Sequence, residues 1–367
     1  MKVPFVDLRA QYLSLKGEID EALRLVIEKT AFIRGPFAEE FERSFALKCG
    51  SKHCVTCANG TDAIYITLKA LGIGPGDDVV TVANSWISTS ETITQTGARP
   101  VFVDIDAEFY HIDPARIEEK LTPRTKAIIP VHLYGQMADI DALSDICRKY
   151  GLFLVEDCAQ AHLATLRGKR AGTAGVAGTF SFYPGKNLGA YGDAGAIITD
   201  DDALAARALM FANHGSPRKH VHEMEGINSR MDGIQAAVLS VKLKFLERWN
   251  LARAANADAY DRGFSGFDKV VTPRRRPDGT HIFHLYVIRV KRRDELAAFL
   301  NQRGIETGIH YPTALPFMPA YAYLGHRPAD FPVAYRNQGE ILSLPMYPEL
   351  GDDQIDHVVG SIKEFYA

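Results

Sequence analysis

No apolar run in the 367-residue chain approaches the roughly 20 residues needed to cross a bilayer. The N-terminus, Met1-Lys-Val-Pro-Phe-Val-Asp7, lacks the apolar core of a signal peptide. Both absences point to a cytoplasmic protein without a membrane partner. A bias toward charge of one sign is missing too. The 42 Lys+Arg and 45 Asp+Glu leave a formal net charge of -3, which gives no electrostatic case for nucleic acid. Cysteine is scarce and odd in number: Cys49, Cys54, Cys57, Cys147 and Cys158 make five, which argues against a disulfide framework. Cys54-Val-Thr-Cys57 fits C-x-x-C, but no second pair follows and the motif lies in a short apolar stretch, so a structural role is expected. His132, His162 and His214 lack metal-ligand spacing, and no metal is expected. Internal repeats, low-complexity tracts and disordered linkers are absent as well.

What is present is an ordinary soluble composition, 46% hydrophobic and 24% charged. From about residue 50 to 200 strand-like and helix-like segments alternate, the signature of an α/β domain with a largely parallel sheet. Val79–Ala83, Pro100–Asp104, Ala127–Val131 and Leu152–Val155 are β-rich runs suited to strands covered on both faces. Thr61–Leu71 repeats Ile64, Leu68 and Leu71 at helical spacing, and Ile140–Tyr150 behaves similarly. Residues 201 to 250 read as helical, with breaks at Asn213-His-Gly215 and Gly226-Ile-Asn228. After Trp249 the character changes: a Pro/Arg loop, then a strand over His281–Val290 and a helix over Asp294–Arg303. The expected division is a large α/β domain over 1–249, its N-terminal segment contributing to dimer packing, and a small α+β domain over 250–367.

Lys186 lies between two strand-like segments, among Pro184, Gly185, Gly189, Gly192 and Gly195, which force turns and permit close backbone approach. A solvated lysine needs no such setting. A lysine that must meet a cofactor does, because desolvation exposes the neutral amine required for a Schiff base. A surface-loop lysine remains the plain alternative. Walker A is excluded, since it would need Gly at 180 and Ser or Thr at 187, where the chain has Phe180 and Asn187. Asp157 follows the strand at Leu152–Val155, where ligands of open α/β sheets bind, although a strand-end Asp also serves as a helix cap. Gly60 and Thr61 open a helix whose free N–H groups suit a phosphate or a simple cap. Together, Lys186, Asp157, Gln160 and the Gly60-Thr61 turn describe the needs of pyridoxal 5′-phosphate. These are an aldehyde partner, a carboxylate for the pyridine nitrogen, a hydrogen-bond partner for the ring hydroxyl and a phosphate site. Trp86, after another strand end, offers an aromatic face to stack on the ring.

These stretches resemble the PLP-dependent nucleotide-sugar aminotransferases of the DegT/DnrJ/EryC1/StrS family, of fold type I. The resemblance runs through Val6-Asp-Leu, Asn59-Gly-Thr-Asp-Ala63, Pro130-Val-His-Leu-Tyr-Gly-Gln136, Glu156-Asp-Cys-Ala-Gln160, Ser181-Phe-Tyr-Pro-Gly-Lys-Asn-Leu-Gly189, Asn228-Ser-Arg-Met-Asp-Gly-Ile-Gln-Ala-Ala237 and Ile309-His-Tyr-Pro312. It implies a covalent bond from Lys186 to the cofactor, with Lys186 also moving the substrate proton. Asp157 would pair with the pyridinium, Gln160 with the ring hydroxyl, and Gly60, Thr61 and Ser181 with the phosphate. Asn228 would reach the cofactor phosphate of the neighbouring subunit in a homodimer. Arg230, His310 and Tyr311 would line the sugar side.

The resemblance further implies L-glutamate as amino donor and a nucleotide-linked keto-sugar as acceptor. The sugar would be aminated at C-3 (a dTDP-3-keto-6-deoxyhexose or a UDP-linked 3-keto-2-acetamido sugar), with the product feeding lipopolysaccharide, other surface glycans or a glycosylated metabolite. Amination at C-4, a PLP or PMP sugar dehydratase and a non-catalytic relative are the alternatives; dehydratases of this fold replace the lysine with histidine. Two departures stand out: Trp86 is larger than the aromatic or histidine common at its position, and Leu163 stands where relatives commonly carry glycine.

Overall fold

The structure, a computed structural model, describes residues 1–218 and 220–367. Three helices come first: α1 (Leu8–Ser14), α2 (Lys16–Glu28) and α3 (Pro36–Cys49). Pro36 opens α3, where a missing N–H costs nothing, and Gly50 closes it in the left-handed region. Next come β1 (His53–Cys57), α4 (Gly60–Ala70), β2 (Asp78–Val82), α5 (Ser88–Gln95), β3 (Arg99–Val103), β4 (Thr125–Ile129), α6 (Ile140–Tyr150) and β5 (Phe153–Asp157). A short hairpin, β6 (Thr165–Leu166) and β7 (Lys169–Arg170), precedes β8 (Ala177–Ser181) and β9 (Gly195–Thr199). Seven strands form one sheet in the order β1-β9-β8-β5-β4-β2-β3. Strand β9 runs antiparallel to both neighbours, and the remaining pairs are parallel. This is the expected α/β class, a mixed and mainly parallel sheet between helices. The expected strands occur with their ends shifted by a residue or two.

The sheet is buried on both faces. Every residue of β2 and of β9 is buried, which is why these strands read as unbroken apolar runs rather than alternating ones. On one face, α3 sends Phe45 against Phe180 (ring centroids 5.0 Å apart) and Phe41 against Phe182 (5.3 Å), both edge-on. These contacts fix the strand end that leads to Lys186. The C-x-x-C pair lies on β1, where residues three apart point to opposite faces. Cys54 joins the core with α3, whereas Cys57 joins the core with α4 and α7 (Asp202–Ala212). All five cysteines are free and buried.

Helices α8 (Gly233–Leu243) and α9 (Leu246–Gly263) follow, and then a second, three-stranded sheet of β10 (Val270–Val271), β11 (Tyr286–Val290) and β12 (Ile341–Leu344). Helices α10 (Arg293–Gln302), α11 (Pro332–Gln338) and α12 (Asp352–Tyr366) complete the chain. Val3 packs in the core of this second sheet with Ile288, Leu344 and Val358. The line drawn between residues 249 and 250 falls inside α9, which is one unbroken helix.

One expectation is corrected here. The strand read from His281 begins only at Tyr286. Phe283 has φ +44°, and its N–H is donated to His281 Nδ1 at 3.0 Å instead of to a neighbouring strand. Ile282 N–H is donated to Gly135 O (2.9 Å), so residues 281–285 bend toward the large sheet and deliver His284 there. No helix among the described residues is long and apolar enough to cross a membrane.

Candidate active site

Asp157 ends β5 and is held from both sides. Its N–H is donated to Pro130 O (3.0 Å), its carbonyl accepts His132 N–H (3.0 Å), and the next N–H, of Cys158, is donated to Thr179 O (2.8 Å). The carboxylate is buried. Oδ2 accepts the Thr89 hydroxyl at 2.8 Å and Oδ1 the Ala159 N–H at 3.1 Å. Burial pushes this carboxyl up, and the Ala159 and Thr89 bonds and the charge on Lys186 only partly oppose it. A second positive group brought against Asp157 would therefore be strongly favoured.

Lys186 is half-buried in the turn after β8. Its N–H is donated to Tyr183 O (2.8 Å), and Ala190 N–H to Phe182 O (2.8 Å), so the loop closes on itself. Gly189 permits this closure, since a Cβ there would lie 2.2 Å from Pro184 O. Desolvation lowers Lys186 to about 8, with Asp157 pulling the other way. Three imidazoles around it are kept neutral by burial first and by the lysine's charge second: His162 at about 3, His310 at about 4, and His284 well below its ordinary value. This is the environment of a lysine that gives up its proton near neutral pH.

The phosphate side is built by α4 against β8. Asn59 caps α4 by accepting Asp62 N–H (2.8 Å), and Thr61 Oγ1 lies 2.7 Å from Ser88 Oγ at the start of α5. Gly60 packs so closely on Ser181 that an added Cβ would come within 2.5 Å of the serine Cβ. A side chain at 60 would fill this cradle of helix N–H groups and hydroxyls. The donor set fits an anionic phosphate ester, and with Asp157 and Lys186 it fits pyridoxal 5′-phosphate as a whole.

Gln160 is buried beside Asp157. Its Oε1 accepts Tyr134 N–H (2.7 Å), and its Nε2 donates to the Tyr311 hydroxyl (3.1 Å). Trp86, still 56% exposed, meets the Tyr311 ring at 5.6 Å, tilted by 44°. His310 lies 2.8 Å from Ser343 Oγ through Nδ1, and its carbonyl accepts the Tyr134 hydroxyl. Gln160, Trp86, His310 and Tyr311 are thus brought together around Asp157 and Lys186.

Asn228 and Arg230 are not. Asn228 is exposed and Arg230 half-buried, and within one subunit neither side chain hydrogen-bonds to this group among the described residues. Their segment is nevertheless anchored on α4: Ser229 Oγ donates to Asp62 Oδ2 (2.6 Å) and accepts Ala58 N–H (3.0 Å). The run Arg274 to Arg276 is already engaged. Arg274 pairs with Glu108 (2.7 Å), Arg275 with Asp258 (2.6 Å), and Arg276 lies over the Phe109 ring (4.1 Å).

Sequence reasoning missed four neighbours. Thr89 lies three residues past Trp86, and its hydroxyl was its only signal. Tyr134 stood inside the stretch Pro130–Gln136 without a role assigned to it, and His162 and His284 are brought in by chain folding. Leu163, where the resemblance led to an expected glycine, has φ +65°, a left-handed backbone of the kind that favours glycine.

Beneath Asp157, Glu156 is fully buried and accepts His132 Nε2 (2.8 Å) and the N–H groups of Gly172 (2.9 Å), Ala174 (2.8 Å) and Gly175 (2.8 Å). Burial alone would raise this carboxyl, but the donors hold it below its ordinary range. With Cys158 it forms a group of possible ligand atoms within 4.8 Å of one another. Both histidine nitrogens and both carboxylate oxygens are already engaged, Nδ1 accepting Ala138 N–H at 3.1 Å. The group is thus a hydrogen-bonded floor under Asp157. Glu156→Gln puts an amide N–H against backbone donors and is expected to cost about 3 kcal/mol of stability, measured as a lower urea midpoint.

Comparison with known proteins matches residues 14–363 to the DegT/DnrJ/EryC1/StrS aminotransferase family. The chain is 47% identical to the pleiotropic regulatory protein of Geobacillus stearothermophilus, covering 100% of this chain and 99% of that one. It is 42% identical to the dTDP-3-amino-3,4,6-trideoxy-alpha-D-glucose transaminase of Streptomyces venezuelae (99% and 96% covered). Identity to the UDP-2-acetamido-2-deoxy-3-oxo-D-glucuronate aminotransferase of Pseudomonas aeruginosa is 40% (98% and 99%). Among solved structures, S. venezuelae DesV in complex with a ketimine intermediate superposes with a TM-score of 0.96 at 42% identity, over 99% of this chain and 98% of that one. The chain therefore belongs to the DegT/DnrJ/EryC1/StrS aminotransferase family.

Proposed function

We propose that this enzyme transfers the amino group of L-glutamate to C-3 of a nucleotide-linked keto-sugar, with pyridoxal 5′-phosphate as cofactor. One observation carries the reading: a half-buried lysine lowered to about 8 shares a site with a buried strand-end carboxylate and a helix-N-terminal cradle, in a chain similar over nearly its whole length to sugar 3-transaminases. When bound, the cofactor supplies an electron sink for charge left on the substrate carbon.

The chain's own residues do the rest. Lys186 anchors the cofactor and, through Nζ, takes and returns the proton at the substrate carbon. Asp157 holds a negative charge for the pyridine nitrogen, and Gln160 orients the ring hydroxyl. Gly60, Thr61 and Ser181 bind the phosphate, and Trp86 covers one ring face and excludes water. Arg230, His310 and Tyr311 receive the sugar. Lys186 also speaks against dehydration and against a non-catalytic role.

The test is single-turnover oxidation of the amine-loaded enzyme by a panel of dTDP- and UDP-linked keto-sugars. A 3-keto sugar is expected to react at least about tenfold faster than its 4-keto isomer. Faster reaction of the 4-keto sugars would replace C-3 by C-4, and the nucleotide arms separate dTDP from UDP.

The reading includes a cytoplasmic homodimer whose product enters lipopolysaccharide, another surface glycan or a glycosylated metabolite. Exposed Ile27, Phe32 and Ile33 support the dimer, because Ile33 bridges Asp232 in the segment that carries Asn228. Asn228 would then complete the partner's phosphate site. Hybrids of Lys186→Ala and Asn228→Ala subunits should contain one intact and one doubly damaged site. Recovery of activity on mixing is expected; hybrids no more active than the average of the two parents would show that the sites are independent.

A further inference from the structure

A second buried lysine has no part in the chemistry described so far. Lys242, near the end of α8, is 1% exposed. Its Nζ donates to Gly189 O at 2.7 Å and lies 4.3 Å from the centroid of the Tyr191 ring. Gly189 is the residue that closes the Lys186 loop against Pro184. Two turns earlier on α8, Gln235 Oε1 accepts Tyr191 N–H at 2.8 Å. Residues seven apart share a helix face, so α8 grips the outgoing end of the loop at two points.

The other side of Lys186 is held from α9 and the bent 281–285 segment. Asn187 Nδ2 donates to Asn250 Oδ1 (2.9 Å) and Ile282 O (3.1 Å), while Asn187 Oδ1 lies 3.2 Å from His284 Nδ1. Burial lowers Lys242 to about 8 and the charge of Glu349 only partly offsets this, so an ammonium kept here for one carbonyl is costly unless its field or its reach is used. A neutral side chain or a water could satisfy Gly189 O at less cost. An ammonium gives a stronger, charge-assisted bond to that carbonyl, and the Tyr191 face supports it by a cation–π contact.

We infer that Lys242 is a positioning residue for Lys186: by clamping the Gly189 carbonyl to α8 it fixes the reach and direction of the Lys186 side chain. The inference rests on Lys186 being the cofactor-bearing lysine, and the two can fail separately. Peptide mapping after borohydride reduction locates the cofactor, whereas amide exchange in the cofactor-free protein tests the clamp by itself.

The variants are Lys242→Met, which keeps length without a donor, and Lys242→Arg, which restores a charged donor. In the cofactor-free protein, Lys242→Met should accelerate exchange across residues 184–191 about tenfold or more, with little change elsewhere. In the loaded enzyme, the pH midpoint of the visible band should move by half a unit or more, and Lys242→Arg should return both readings toward wild type. Unchanged exchange in the loop, or an unchanged midpoint, overturns the inference. If Lys242→Met does not fold, Lys242→Leu, which likewise lacks a donor, takes its place under the same criteria.

Discussion

Lys186→Ala is expected to lower the rate of the glutamate half-reaction by on the order of 10⁴-fold or more, because one side chain both anchors the cofactor and moves the proton. The purified wild-type protein should carry a visible band that borohydride removes with covalent capture at Lys186. The variant should lose that capture while still binding the cofactor through the cradle around Gly60, Thr61 and Ser181. A reducible adduct of unchanged stoichiometry in Lys186→Ala would assign the lysine elsewhere. The pH dependence has a definite sign. Lys186 falls from an ordinary value near 10.5 to about 8, so its neutral amine predominates above about pH 8. Competitive acylation of the cofactor-free protein should therefore show a Lys186 midpoint near 8. Between 8 and 10.5 the unfolded chain binds the extra proton, so this group's contribution to stability rises with pH across that window.

Asp157→Asn is the second large effect. The substitution keeps the shape: its Oδ1 can accept the Ala159 N–H and its Nδ2 can donate to the Thr89 hydroxyl, which can donate on to Ser85, but the charge is removed. Loss of one fixed electrostatic partner in a dry site is worth roughly 10²–10³ in rate. Melting should change little or rise, because a buried charge is removed along with its desolvation cost. A further reading separates the charge from mere packing. Asp157 raises Lys186, opposing desolvation, so in the cofactor-free Asp157→Asn protein the acylation midpoint of Lys186 should drop below 8. A midpoint that stays in place would mean that the two groups do not sense each other.

How much of this was legible in the chain follows from which interactions are local. The four strands read between Val79 and Val155 could be read because a doubly covered sheet needs continuous apolar strands, and α4 and α6 because of their helical spacing, whereas β1, α5 and the β6–β7 hairpin were not read. Lys186, Asp157, Gln160 and Gly60 could be read because each is marked by a strand end or a glycine turn nearby. Thr89 was invisible, since nothing local says that its hydroxyl meets Asp157. His284 was read into a strand because the residues from Ile282 to Val290 are mostly apolar and β-rich; the left-handed Phe283 and its bond to His281 turn the backbone away. Among the described residues the side chains of Asn228 and Arg230 form no hydrogen bond to the group around Lys186, and no local pattern says what they meet.

Helix α9 has a mechanical consequence. It is 18 residues long, about 27 Å of continuous rod. From it the buried Arg253 reaches the carbonyls of Phe283 (3.1 Å) and Met346 (2.8 Å). Both carbonyls belong to the second core; on the other side Asn250 of the same helix accepts from Asn187 (2.9 Å) and donates to the His162 carbonyl (3.0 Å), so the rod is fastened to both cores and stiffens that junction. Admission of a substrate as large as a nucleotide-sugar then falls to side chains and loops at the rim, where Trp86 and Tyr183 are exposed.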